Sequence, residues 1–130
     1  MTPRLDAFGI IVSDMARSVA FYRRLGLEFP EGSENESHVE AQLPGGLRYM
    51  VDTEDLIRSF EPEWKRGESH AGAFRCETPE EVDQVYAELL EAGATTHKEP
   101  WDAFWGQRYA QLNDPDGTLI DLFAPLPGQQ

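Results

Sequence analysis

Residues 8–26 read FGIIVSDMARSVAFYRRLG, and residues 74–93 read FRCETPEEVDQVYAELLEAG. Both stretches run from a strand end through a capping residue and an amphipathic helix to a glycine. In the first, Ser13-Asp14 is an N-cap signal. Met15, Val19 and Tyr22 then recur on one helical face with Leu25 close by. Arg23 and Arg24 place cations at the negative end of the helix dipole, and Gly26 offers a left-handed stop. In the second, Thr78-Pro79-Glu80-Glu81 joins a capping box to a proline at the first helical position. Val82, Val85, Tyr86 and Leu89 face inward, and Gly93 ends the helix. Phe8 matches Phe74 and Gly26 matches Gly93, an internal repeat with an offset of about 66 residues.

The flanking segments complete the repeat. Before the first helix, residues 5–12 (LDAFGIIV) read as a buried strand. After it come a polar loop at 30–37, a strand at 38–43, a Pro44-Gly45-Gly46 turn and a strand LRYMVD, which together make a hairpin. Residues 53–67 hold a short helix broken near Pro62, with Glu54 and Asp55 beside Asp52 at its start. In the second half, residues 71–76 are a strand, and a loop carries Trp101, Phe104 and Trp105. Strands RYAQL and TLIDLF then flank the turn NDPDG, and the tail APLPGQQ is expected to fray. Each half is one strand, one helix and a hairpin, and its helix covers only one face of its sheet. Two such sheets must curl toward one another and leave a cleft, the default ligand site. The fold class is α+β. The expected organisation is a first module at 5–52, a connecting segment with a short helix at 53–69, and a second module at 70–125.

Composition narrows the function. The chain has 130 residues, with 11 Lys+Arg against 24 Asp+Glu and a net charge of −13. Nucleic acid is excluded as a partner, because phosphate contacts need a basic face. An anionic membrane surface is excluded on the same ground. Cations, including cationic small molecules, are attracted instead. A 40% hydrophobic content supports one packed domain. The single Cys76 excludes an internal disulfide and a cysteine-rich zinc site. No window approaches the ~20 apolar residues of a membrane span, and MTPRLDAF has no secretory apolar run. The expected location is cytoplasmic.

The sequence contains no GxSxG, phosphate loop or GxGxxG. Cys76 continues the strand phase of Phe74 and reads as a buried, inert thiol. Asp114 and Asp116 belong to the NDPDG turn, whose geometry they serve. The aromatic residues are the stronger signal. Trp101, Phe104 and Trp105 lie within five residues, Phe60 and Trp64 lie in the middle segment, and Tyr49 and Tyr109 sit on predicted strands. Such rings offer flat surfaces of low entropy, and a stacked pair contributes about 0.5–1.5 kcal/mol beyond area burial. Burying ~300 Å2 of ligand at ~25 cal/mol/Å2 adds roughly 7 kcal/mol gross, and association costs offset a large part. Asp52 and Asp121 are acceptors for ligand hydroxyls or amines, and His38 sits on a strand that can face the cleft.

The string FGIIVSDMARSVAFYRRLGLEF at 8–29 resembles the opening unit of the vicinal-oxygen-chelate superfamily, which holds glyoxalase I, extradiol dioxygenases, fosfomycin-modifying transferases and bleomycin-resistance proteins. YAQLNDPDGTLIDLFAP at 109–125 resembles its closing hairpin, so the likeness spans residues 5–125. The stretches VDTEDLIRSFEPEW, KEPWDAFWGQRYA and DLFAPLP are similar to those of the mitomycin-resistance type of drug-binding protein. The resemblance implies two βαβββ modules in a curved mixed sheet, paired or domain-swapped in a homodimer. It further implies sequestration of a planar aromatic antibiotic as self-resistance, with Trp105 and His38 flanking the drug. Where the superfamily's enzymes hold a divalent metal, this chain has Ala7, Ala71 and Asp121. Alanine cannot ligate, so neither a metal nor any other cofactor is expected, and no catalytic residue is assigned. His70 adjoins Ala71, and strand alternation turns it away from the cleft. The candidate ligand-binding residues are therefore His38, Tyr49, Asp52, Phe60, Trp64, Trp101, Trp105, Tyr109 and Asp121. The alternative is a glyoxalase- or dioxygenase-like enzyme acting on a small molecule, since much of the fold's chemistry is enzymatic.

Overall fold

The computed structural model describes residues 2 and 4–128. The chain forms two compact units that divide between Gly67 and Glu68. The first runs β1 (Ala7–Val12), α1 (Met15–Arg23), β2 (His38–Gln42), β3 (Arg48–Thr53) and α2 (Glu54–Phe60). The second runs β4 (His70–Arg75), α3 (Pro79–Glu91), β5 (Thr95–Ala103), β6 (Gln107–Asn113) and β7 (Leu119–Pro125). The architecture is mixed α+β with one mixed sheet per unit, as expected. The sheet of the first unit has three strands in the order β1-β3-β2, and that of the second has four in the order β4-β7-β6-β5. The second unit thus completes a βαβββ module.

In the first unit β1 pairs with β3 in parallel, and β2 pairs with β3 antiparallel. Strand alternation puts Ile10, Val12, Val39, Ala41, Tyr49 and Val51 on the buried face. Helix α1 covers that face with Met15, Val19, Phe21 and Tyr22, all at most 5% exposed. Asp14 caps α1 by accepting from the Arg17 N–H at 3.0 Å, and Gly26 takes φ = 90° after it. Gly9 has a different reason to be glycine. A Cβ there would lie 1.9 Å from the Met50 carbonyl oxygen of the neighbouring strand. Thr53 caps α2, and Phe60 ends it before Pro62. The segment after α2 belongs to the first unit. Arg66 bridges to Glu54 at 2.7 Å and donates to the Ile11 carbonyl at 2.9 Å.

In the second unit α3 lies across β5, β6 and β7. Its Val82 and Leu89 meet a sheet face built from Ala110, Leu112, Ile120, Leu122 and Ala124, all fully buried. The Thr78 hydroxyl accepts from the Glu81 N–H at 3.1 Å, while the Glu81 carboxylate takes the Glu77 N–H at 2.7 Å. The capping box therefore closes one residue earlier than its usual form. In the turn before β7, the buried Asp114 accepts from the N–H groups of Asp116 and Thr118 at 2.8 and 2.9 Å. Cys76 is buried, and burial with the Glu81 charge pushes its thiol up to about 11.

Three sequence expectations change in the second unit. The segment carrying Trp101 is not a loop but part of β5, a nine-residue edge strand, and only residues 104–106 form the turn. Its register shifts twice, between Thr96 and Lys98 and between Lys98 and Trp101. The expected frayed tail starts inside β7, and the Leu126 N–H bonds to the Gly106 carbonyl at 3.0 Å. The last two residues of that expectation lie outside the described residues. His70 is the third change, treated below. No helix among the described residues is long and apolar enough to cross a membrane.

Candidate functional site

The open face of the second sheet gathers four of the candidate residues. Trp101 on β5 is the register partner of Tyr109 on β6, and β6 pairs in turn with β7, which carries Asp121. Trp105 stands in the tight turn between β5 and β6. Its ring meets Trp101 at 5.5 Å, Phe104 at 4.9 Å and Tyr109 at 5.3 Å, each near-perpendicular. Edge-to-face contacts of this kind satisfy the quadrupoles of all four rings. About half of Trp105 remains in solvent (47%), and Phe104 is 90% exposed. The Trp105 indole N–H donates to Gln107 at 2.8 Å, which fixes the ring's tilt. Lys98 lies over the Trp101 ring at 4.8 Å.

A polar group adjoins these rings. The Tyr109 hydroxyl donates to Asp121 Oδ2. Gln111 donates to Asp121 Oδ1 at 2.9 Å, and His70 Nε2 lies 3.3 Å from the same oxygen. Burial first, and then the hydrogen bond to Asp121, push the Tyr109 hydroxyl up to about 12. Tyr109 is therefore a neutral donor throughout the physiological range.

The arrangement of His70 corrects the sequence reading. Simple alternation from Ala71 turns the imidazole away from Asp121. The register between β4 and β7 shifts between His70 and Gly72, so Ala71 is an extra, bulged residue. Gly72 takes φ = 123°, which glycine adopts without strain. Ala71 is 1% exposed in the core, and His70 is left on the side of Asp121. The Gly72 N–H donates to His70 Nδ1 at 3.0 Å, which places the ring proton on Nε2, toward Asp121.

Other candidates lie elsewhere. Tyr49, expected to contact a ligand, is 2% exposed on the helix side of the first sheet, against Phe8 and Tyr22. Its phase follows Val51, and Arg48, Met50 and Asp52 take the open face. Asp52 accepts from His38, its register partner across β2 and β3, at 2.5 Å. His38 also reaches Glu40 at 2.8 Å and borders an open hollow of about 430 Å3 with Pro30, Glu31, Glu36 and Gln42. Trp64 is flanked by the guanidinium groups of Arg58 at 5.1 Å and Arg66 at 5.5 Å. Phe60 is exposed at the end of α2. Sequence reading left Phe104, Gln111 and His70 out of the site. The first two had signals: an aromatic between two tryptophans, and the same strand phase as Tyr109. The glycine inside HAGAF is the signal for the bulge behind His70.

A model of the Glyoxalase/Bleomycin resistance protein/Dioxygenase superfamily matches residues 4–122. The chain belongs to this superfamily. An uncharacterized protein of Bacillus subtilis (strain 168), YraH, is 29% identical over 122 residues, spanning 90% of this chain and 94% of its own. A glyoxalase/bleomycin resistance protein/dioxygenase family enzyme from Burkholderia phytofirmans PsJN superposes with a TM-score of 0.77 at 21% identity, covering 95% of this chain and 100% of that one. The hypothetical protein SA1046 of S. aureus gives a TM-score of 0.76 at 23% identity, covering 95% of both chains. These likenesses establish the fold.

Enzymes of the superfamily use a divalent metal, and the residues present do not fit one. Ala7 offers no donor atom, and Ala71 is turned into the core, which leaves His70 beside Asp121. His70 and Asp121 are a pair, and the Asp121 oxygens already accept from Tyr109 and Gln111. Among the described residues no three His, Cys, Asp or Glu side chains converge on one point, short of the three protein ligands a catalytic divalent site needs.

Proposed function

We propose that this protein binds and sequesters a planar aromatic antibiotic or related natural product without altering it, in the manner of the mitomycin-resistance type. The observation that carries this reading is the Trp101–Phe104–Trp105–Tyr109 cluster beside Asp121 on one open sheet face. Rings with exposed surface supply stacking area at little entropic cost. The Tyr109 hydroxyl, the Gln111 amide and the Asp121 carboxylate supply the few polar groups that orient a flat ligand. The net charge of −13 draws cationic or amine-bearing ligands to it. Ala7 supplies no donor where the resemblance implies a metal ligand, and His70 with Asp121 makes two ligands where a catalytic divalent site needs three. The working form is a cytoplasmic homodimer.

One observation favours a second reading. The Asp121 carboxylate, which accepts from the Tyr109 hydroxyl and lies 3.3 Å from His70 Nε2, stands where a metal-independent enzyme would require a base. A single experiment separates the two. The protein is titrated with a mitomycin, a bleomycin and an anthraquinone, with and without chelator, while tryptophan fluorescence is followed and the ligand is recovered for mass analysis. Sequestration predicts quenching that the chelator leaves unchanged and a recovered ligand of unaltered mass. A ligand of altered mass would establish the enzyme instead, and absence of quenching by all three would remove the antibiotic-binding reading.

A further inference from the structure

The aromatic cluster leaves unused a charged group on the open face of the first sheet. His38 on the edge strand β2 is the register partner of Asp52 on β3, and Glu40 follows two residues along the same face. Both ring nitrogens meet carboxylates: Nδ1 lies 2.5 Å from Asp52 Oδ1, and Nε2 lies 2.8 Å from Glu40 Oε2. A neutral imidazole has one N–H and one lone pair. It can donate to one carboxylate, and its bare nitrogen would then face the other. Only the imidazolium donates to both. The row continues through Arg48, which donates to Glu40 at 2.7 Å and to Asp6 at 2.6 Å. Charge therefore alternates along Asp6, Arg48, Glu40, His38 and Asp52. Glu31 and Glu36, which line the same hollow as His38, add negative potential.

We propose that His38 is a pH-sensitive clasp, which in its protonated form pins edge strand β2 to β3 at the rim of the hollow and on deprotonation releases it. The device is independent of the aromatic site. The hydrogen bonds to Glu40 and then Asp52 hold the His38 imidazole above its ordinary 6.5. Bonds from His38 and Arg48 hold the Glu40 carboxyl below its ordinary 4.5. The raised base contributes fully below 6.5, and that contribution is lost as pH rises through the folded value. The lowered acid contributes above 4.5 and loses its contribution as pH falls through its own folded value. The clasp is thus closed between those limits and opens on the alkaline side.

The test uses the full chain labelled with 15N. Imidazole nitrogen shifts give the His38 midpoint, and amide exchange across β2 gives protection at each pH. A midpoint above 6.5 is expected, lowered in both Asp52→Asn and Glu40→Gln. Corrected for intrinsic exchange, β2 protection should fall about tenfold for each pH unit by which that midpoint exceeds the ordinary value. His38→Gln should lack the step. A midpoint at or below 6.5 in the folded wild type overturns the proposal, and so does a step that persists in His38→Gln. Should the variants fail to fold, the wild-type midpoint alone decides.

Discussion

The open faces of the two sheets carry different chemistry on the same strand–helix–hairpin plan. In the first unit, His38, Glu40, Arg48 and Asp52 neutralise one another in a row of ion pairs. In the second, Trp101, Trp105 and Tyr109 pack edge to face, and the carboxylate of Asp121 is held by neutral Tyr109 and Gln111 donors. A paired ionic row has its strongest partners already in place. An aromatic cluster whose Trp105 is half exposed still has area to bury. The repeat thus fixes the scaffold, while the residues at alternating strand positions decide which face gains from a ligand. The opening strands differ in the same way. β1 approaches β3 so closely that Gly9 has no room for a Cβ, whereas β4 makes room for an extra residue by bulging at Ala71-Gly72.

The largest predicted effect breaks this contrast between opening strands. Gly9→Ala should cost about 3 kcal/mol in chemical denaturation, the upper end of overpacking costs, because the methyl meets a backbone carbonyl that cannot rotate away. Gly72→Ala should cost about 1–2 kcal/mol, because it meets open space and pays only for its positive φ. Equal costs would mean that β1 can shift where the structure has it fixed.

The next effect separates the two faces by binding. Trp105→Ala should weaken a ligand that quenches the wild type by about tenfold or more, the loss of one stacking platform plus its buried area. Trp64→Ala, whose ring is already engaged by Arg58 and Arg66, should leave affinity within about twofold. Isothermal titration calorimetry checks both. A smaller effect concerns ionisation. In an ultraviolet titration of the folded protein, Tyr109 should ionise near 12, and Tyr109→Phe should remove that phase. Stabilisation from the neutral hydroxyl is present below its unfolded value and is lost as pH rises through the folded one.

Much of this contrast was legible in the sequence, and the failures have physical causes. Helices α1 and α3 were readable because Asp14, Thr78, Gly26 and Gly93 each satisfy a helix end locally. β5 does not read as a strand, because TTHKEPWDA is charged and contains Pro100. An edge strand with two register shifts tolerates both features, since one side of it needs no partner. Tyr49 reads as a ligand contact, yet it shares the buried phase of Val51, and Arg48 and Asp52 take the open face. Alternation turns His70 away from Asp121 only in an unbroken register, and the bulge breaks it. The aromatic density at 101–105 is legible in the sequence, whereas the joining of Asp121, Gln111 and His70 to it depends on pairing across three strands.

The most direct test of the central claim is to follow the three tryptophan indole N–H resonances while a mitomycin is added to the labelled protein. The account predicts that the Trp105 and Trp101 signals shift together and saturate, while Trp64 stays in place. Movement of Trp64 alone, or saturation binding that leaves Trp101 and Trp105 unshifted, would contradict it.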